Sequence, residues 1–178
     1  MLVTYNTYRL NRLYELFKEI DVTTLVVSGN PRPGSRTLKL AVAVGEALSE
    51  TPVTVIDVGE IGAGLLTPGD EATAAAVEAL LEASLLVVAT PTYKGSYTGV
   101  LKVLLDNLQA NALAGKTAVP VLTAGVQPQA DAAAGHLTAL LTELGATLGP
   151  TVTATEAELG DIPAIAARAA AAAAIPGA

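Results

Sequence analysis

The sequence predicts an α/β domain in three layers, a parallel five-stranded sheet with helices on both faces, and three observations carry that expectation. Short apolar runs rich in Val, Ile and Leu alternate along the chain with stretches of helical periodicity, as consecutive βαβ units require. The 51% hydrophobic fraction comes mostly from Ala, Val and Leu, which suits strands covered on both faces by helices of small residues. A length of 178 residues accommodates one domain whose core needs no disulfide or metal staple.

Residues 1–21 stand apart as an extension to a domain expected over 22–178. They hold Tyr5, Tyr8, Tyr14 and Phe17, and Leu10, Leu13, Phe17 and Ile20 recur at helical spacing. The segment 9–20 is therefore a candidate amphipathic helix, packed on its own domain, part of a partly ordered arm, or in contact with another subunit. The first strand is expected at 22–28, where a β-branched run breaks at Ser28-Gly29, and the first helix at 37–49 behind Ser35 and Thr37. A second strand follows at 52–58, then a helix at 70–83 that opens on Asp70-Glu71 after Pro68-Gly69. The third strand, 85–90, has its exit fixed by Pro91 and leads to a helix at 98–110. Strand four is expected at 117–123, a helix at 130–145 and strand five at 148–154. An Ala-rich helix at 161–174, stopped by Pro176-Gly177, closes the domain and carries no chemistry.

Right-handed crossovers between these strands give a three-layer sandwich. At this length the flavodoxin-like strand order 2-1-3-4-5 is favoured over the six-stranded dinucleotide fold. A ligand then belongs at the carboxyl ends of strands 1, 3 and 4, around the point where the strand order reverses.

Composition excludes several classes of function. With no Cys, disulfides, thiolate metal sites and a Cys nucleophile are ruled out, and a reducing cytoplasm fits. The first twenty residues lack the features of a signal peptide, and no run of about 18 uncharged apolar residues exists to span a membrane. A net charge of −7 argues against nucleic acid or an anionic membrane as partner. No His, Cys or carboxylate cluster has ligand spacing, so no metal site is expected. The basic residues are unevenly placed: Arg32, Arg36 and Lys39 gather after strand one, and Lys94 and Lys102 flank the loop after strand three. They are either solvated surface charge or counter-ions for a small anionic ligand.

Three loops carry the candidate chemistry. In 22–37, VTTLVVSGNPRPGSRT, a buried strand breaks into a loop bearing hydroxyls and arginines at a helix N-terminus. Backbone N–H groups, the helix dipole and side-chain donors converge there, as an anion requires. The loop is neither G-x-G-x-x-G nor G-x-x-x-x-G-K-[ST], so a mononucleotide phosphate is a better fit than a dinucleotide or P-loop ligand. The second loop, 89–99, reads ATPTYKGSYTG and carries a donor-rich, Gly-punctuated backbone beside two tyrosines. Such a loop can lie along a planar heterocycle, with contact expected over 91–96. The third, Thr123-Ala124-Gly125 with Val126-Gln127, offers small residues that let the backbone approach a ligand closely.

The stretches SGNPRPGSRT (28–37), TPTYKGSYTGVLKVLLDNL (90–108) and LAGKTAVPVLTAG (113–125) give the family. From Thr23 to about Glu158 the chain resembles the NADPH-dependent FMN reductases of the flavodoxin-like superfamily, and within them the reductase components of two-component alkanesulfonate monooxygenases. The resemblance implies that Ser28, Arg32, Ser35, Arg36 and Thr37 hold the FMN phosphate. It sets the isoalloxazine beside Pro91, Thr92, Tyr93, Lys94, Gly95 and Ser96 and beside Thr123, Ala124 and Gly125. It implies hydride transfer from NADPH or NADH to FMN, with the protein supplying orientation and backbone donors and no catalytic side chain. Arg36-Thr37 stands where many relatives end the loop in Ser-x-Asn.

Other residues admit plainer readings. His136 is expected inside a helix away from the strand ends, as a surface or core histidine. Tyr97 packs on its own helix, gates flavin exchange or lies at a subunit interface. Lys102 and Asp106 form an i, i+4 ion pair, and Asp57 and Glu60 read as loop charge. Val100, Leu101, Val103, Leu104, Leu105 and Leu108 make an apolar surface wide enough to predict a homodimer or homotetramer through that helix. The expected function is an NAD(P)H-dependent FMN reductase serving a partner monooxygenase. The alternatives are a quinone or azo reductase that keeps its FMN bound, or a flavodoxin-like electron carrier or flavin-storage protein.

Overall fold

Alternation of side chains along the strands builds two cores, one on each face of a single sheet. The computed structural model describes residues 23–173; the extension 1–21, with its candidate helix, and the Pro176-Gly177 stop lie outside the described residues. Strand β1 (Thr24–Ser28) lies between β2 (Thr54–Asp57) and β3 (Leu85–Pro91), and β4 (Thr117–Ala124) follows β3. All pairings are parallel, in the expected order 2-1-3-4-5. Leu25, Val27, Leu86, Val88 and Leu122 point to one face, where they meet helices α3 (Glu71–Glu82), α4 (Gly99–Leu105) and α5 (Gln127–Glu143). Val26, Val87, Ala89, Val119 and Val121 point to the other, under α1 (Arg36–Leu48) and α6 (Ile162–Ala173). This is the period-2 geometry of a strand buried on both faces. Ala166 and Ala169 explain the Ala-rich tail: small side chains let α6 pack beside α1 in the second core.

The boundaries differ from the sequence expectation in ways the chain explains. The fifth strand is broken into β5 (Thr147–Leu148) and β6 (Val152–Thr155). Its register against β4 slips by one residue across the gap, from Thr117↔Thr147 to Val121↔Val152. Ala118 and Ala124 accept bonds from this side of β4, and Pro120 shares their parity but has no N–H to give. A bulge at Gly149–Thr151, containing Pro150, therefore faces the residue that cannot pair. Helix α4 ends at Leu105, short of the expected 110, because the Asn107 side chain donates to the carbonyls of Val103 (2.9 Å) and Leu104 (3.4 Å). Helix α5 begins at Gln127, ahead of the expected 130, with Pro128 in its first turn. A short helix α2 (Val58–Ile61) and a 3₁₀ turn (Gly62–Leu66) fill a connection that has no clear periodic signal.

Candidate active site

The carboxyl ends of β1, β3, β4 and β6 open onto one cleft of about 330 Å³, within the range of small-molecule sites. It is lined from the β1 side by Asn30, Arg32, Pro33, Ser35, Arg36 and Thr37. Pro91, Thr92 and Tyr93 line it from β3, Thr123, Ala124 and Gly125 from β4, and Glu156 and Leu159 from the loop after β6.

The loop after β1 is held by contacts that reach across the fold. Ser35 caps α1, its Oγ accepting from the Leu38 N–H at 3.2 Å, so the hydroxyl proton stays free to donate. The Arg36 and Thr37 N–H groups lie ahead of the helical ladder, at the positive end of the dipole. Asn30 accepts from the Arg32 N–H at 2.9 Å, and Asn30 and Thr123 lie 3.4 and 2.8 Å from the buried Thr37 hydroxyl. Thr37 thus ties the first loop to the end of β4.

Asp57, expected as loop charge, is instead a structural tether. It is nearly buried; its Oδ2 accepts from the Gly34 N–H at 2.8 Å and its Oδ1 from the Gly59 N–H at 3.3 Å. Gly59 is required there, since a Cβ would meet the Asn30 carbonyl at 2.8 Å and the Pro33 nitrogen at 2.9 Å. The signal was present in the strand order, because β2 neighbours β1 and a carboxylate at its exit abuts the first loop.

The loop after β3 closes on itself. Tyr93 and Ser96 exchange backbone hydrogen bonds at 2.9 and 3.2 Å. Lys94 and Gly95 between them have φ of 55° and 80°, the pattern of a type I′ turn. The Thr92 N–H donates to the Thr123 carbonyl at 2.7 Å, and Pro91 has no N–H. Of the backbone donors expected over 91–96, those of Lys94 and Gly95 are left for a ligand. The Thr92 hydroxyl is buried without a partner, on a residue that lines the cleft.

Of the residues singled out in the sequence, Arg32, Ser35, Arg36, Thr37, Pro91, Thr92, Tyr93, Thr123, Ala124 and Gly125 come together in the lining. Ser28 lies beneath the first loop, fully buried with an unpartnered hydroxyl, and Lys94, Gly95 and Ser96 stand in the turn beside Tyr93 without lining the cleft. Tyr97 packs against the core under α4. Lys102 and Asp106 form the expected pair, and that hydrogen bond holds the Lys102 ammonium above its ordinary value. His136 is on the surface inside a helix, as expected, and its Nδ1 lies 3.2 Å from the Ser96 hydroxyl in the turn beside Tyr93.

Asn30, Pro33, Glu156 and Leu159 were missed. Glu156 forms an ion pair with Arg36 at the cleft. Its backbone N–H donates to the Ala124 carbonyl at 2.9 Å, extending the β4–β6 pairing by one step. The next turn is fixed by Glu158, whose Oε2 accepts from the Thr155 N–H and hydroxyl at 2.8 and 2.9 Å; these bonds, the backbone one first, hold its carboxyl below the usual value. Extending the strand-end rule from strand 4 to strand 5 would have flagged Glu156. Among the described residues no group of His, Asp and Glu is arranged to hold a metal, and no helix is long and apolar enough to cross a membrane.

The donor set suits a phosphate with a flat, uncharged ring system attached. Two guanidinium groups and a capping hydroxyl gather at the start of α1, and β3 and β4 contribute small and apolar residues with one tyrosine. Comparison with known proteins identifies the family. Residues 22–158 match the family model described as NADPH-dependent FMN reductase. An FMN reductase (NADPH) of Escherichia coli is 52% identical over 48 residues, 27% of this chain and 25% of that protein. An NADH-dependent FMN reductase of Pseudomonas fluorescens is 35% identical over 146 residues, 77% of this chain and 78% of that protein. The chain matches 25% to 63% of the length of several such relatives. The crystal structure of an NADH:FMN oxidoreductase in its apo form superposes with a TM-score of 0.71 at 28% identity, covering 87% of this chain and 92% of that one. The chain therefore belongs to the NADPH-dependent FMN reductase family of flavodoxin-like oxidoreductases.

Proposed function

We propose that this protein reduces FMN with NADPH or NADH, takes the flavin as an exchangeable substrate, and hands the reduced flavin to a flavin-dependent monooxygenase. The observation that carries this is the division of the cleft, with Arg32, Arg36, Ser35 and the first turn of α1 on one side and Pro91–Tyr93 and Thr123–Gly125 on the other; on this reading the first side receives the phosphate and the second flanks the ring. The bound flavin supplies the hydride-accepting chemistry. The chain's residues bind and orient it. Thr92 offers an unpartnered hydroxyl, and the turn closed by Tyr93 and Ser96 leaves the Lys94 and Gly95 N–H groups free to donate. Among the described residues Tyr93, 43% exposed, is the one aromatic side chain in the lining, so these residues give the ring modest stacking and leave one face open to the nicotinamide. That openness favours exchange over permanent retention.

Supply of a monooxygenase is supported by the resemblance of 90–108 and 113–125 to the reductase components of alkanesulfonate systems. The reaction belongs in the cytoplasm, where reduced nicotinamide nucleotides are regenerated. The protein works as a dimer or tetramer. Helix α4 spends most of its apolar surface on its own core, with Leu101, Leu104 and Leu105 buried. What remains open is a hollow of about 810 Å³ beside α3 and α4, where Leu66 and Leu81 are 77% and 46% exposed. Light scattering that gives a monomer at micromolar concentration removes the oligomer.

Steady-state NAD(P)H oxidation with added FMN, against a quinone and an azo dye, tests the activity. Saturation in FMN, with a protein that purifies nearly colourless, is expected. A yellow protein that keeps stoichiometric flavin through dialysis and prefers the quinone or dye contradicts it, as does an absence of NAD(P)H oxidation.

A further inference from the structure

Glu156 is the one carboxylate among the described residues that line the cleft, and it is paired with Arg36, one of the two guanidinium groups there. An acid in a site for a phosphate dianion works against the ligand, so its position needs a reason. It is not a loosely attached surface charge. The backbone of Glu156 continues the β4–β6 ladder through its bond to Ala124, and the Thr155–Glu158 hydrogen bonds fix the turn that follows. The fold therefore delivers this carboxylate to the site from 120 residues away in the chain.

We propose that Glu156 is an internal competitor of the flavin phosphate for Arg36, which keeps the affinity for FMN low enough for the flavin to exchange. This rests on the proposed reading of the cleft as an FMN phosphate site. Two physical points favour competition over simple positioning of Arg36. Both side chains are more than half exposed, at 57% and 54%, and a pair this solvated does little to hold an arginine in one orientation. A guanidinium engaged by a carboxylate offers fewer of its donors to a phosphate, so the two anions compete for one cation. Phosphate entry must then break or share the Arg36–Glu156 contact, and release restores it. The effect is confined to the phosphate, so a flavin without one does not register it.

The test is titration of the purified protein with FMN and with riboflavin, for wild type, Glu156→Gln and the double variant Arg36→Gln/Glu156→Gln against Arg36→Gln. Glu156→Gln is expected to tighten FMN by roughly twofold to fivefold and to leave riboflavin unchanged. Adding it to Arg36→Gln is expected to recover much less. Unchanged or weaker FMN binding by Glu156→Gln overturns the proposal, as does equal tightening of riboflavin. Glu156→Ala is the second variant, expected to tighten FMN in the same direction; a loss shared by both variants assigns Glu156 to positioning Arg36 instead. If wild type binds riboflavin as tightly as FMN, the phosphate reading itself is what has failed.

Discussion

The two loops that frame the cleft are built on opposite plans. The loop after β1 depends on distant residues: Asp57 holds the Gly34 N–H, Thr123 holds Thr37, and Gly59 makes room for the Asn30–Pro33 backbone. The loop after β3 is mostly self-contained, with Tyr93 and Ser96 closing a two-residue turn on each other and Thr92 bound to Thr123. The difference teaches where each half of the site is vulnerable. The phosphate half should fail when a remote residue changes, whereas the ring half should respond to substitutions within the turn.

The largest effect is expected from Asp57→Ala. Two N–H groups lose a nearly buried charged acceptor, at about 1.5–3 kcal/mol for a bond of this kind. Chemical denaturation should show a loss of about 2–3 kcal/mol, and FMN affinity should fall roughly tenfold or more while riboflavin falls much less. Equal losses for both flavins would mean that Asp57 supports the whole domain and not the first loop in particular. Arg32→Ala comes next. A charge-assisted contact to phosphate is removed at a partly solvated site, so roughly a fivefold to tenfold loss of FMN affinity with little change in turnover at saturating flavin is expected. Steady-state kinetics over a range of FMN concentrations separates the two.

Gly95→Ala probes the other loop. At φ 80° an L side chain is strained by about 1–2 kcal/mol, and the turn relaxes by local distortion. FMN and riboflavin should weaken together, by roughly twofold to fivefold, since no phosphate contact is touched; a selective loss of FMN would break the division between the halves. The smallest effect concerns the turn after β6. Glu158 titrates below its ordinary value because Thr155 hydrogen-bonds its charged form. Its stabilisation is therefore present above the ordinary value of 4.5 and is lost as pH falls through the lower folded value. The stability gap between wild type and Glu158→Gln should narrow as the pH is taken below that point, measured by thermal unfolding across acidic buffers.

The same contrast explains how much was legible in the sequence. The strands, their burial on both faces and the start of α1 follow from periodicity and from Ser35 as a cap, signals contained within a few residues, and the strand order follows from the chain length and the βαβ alternation. The break in the fifth strand depends on Pro120, a residue of a different strand, and was invisible to a segment-by-segment reading. In the site, the lining residues of 30–37, 91–93 and 123–125 lie on loops that announce themselves by composition. Asp57 and Glu156 act on those loops from 23 and 120 residues away, so no local pattern marks them. Both nevertheless sit at strand exits adjacent to strands 1 and 4, and the expected order 2-1-3-4-5 already placed them there.

The most direct measurement is parallel equilibrium titration of wild type with FMN and riboflavin, read by quenching of flavin fluorescence at moderate salt. With Arg32, Arg36, Ser35 and the first turn of α1 receiving the phosphate, FMN should bind at least tenfold more tightly than riboflavin, and the margin should shrink as salt is raised. Equal affinities, or a margin indifferent to salt, would contradict the assignment of the β1 loop as the phosphate half of the site.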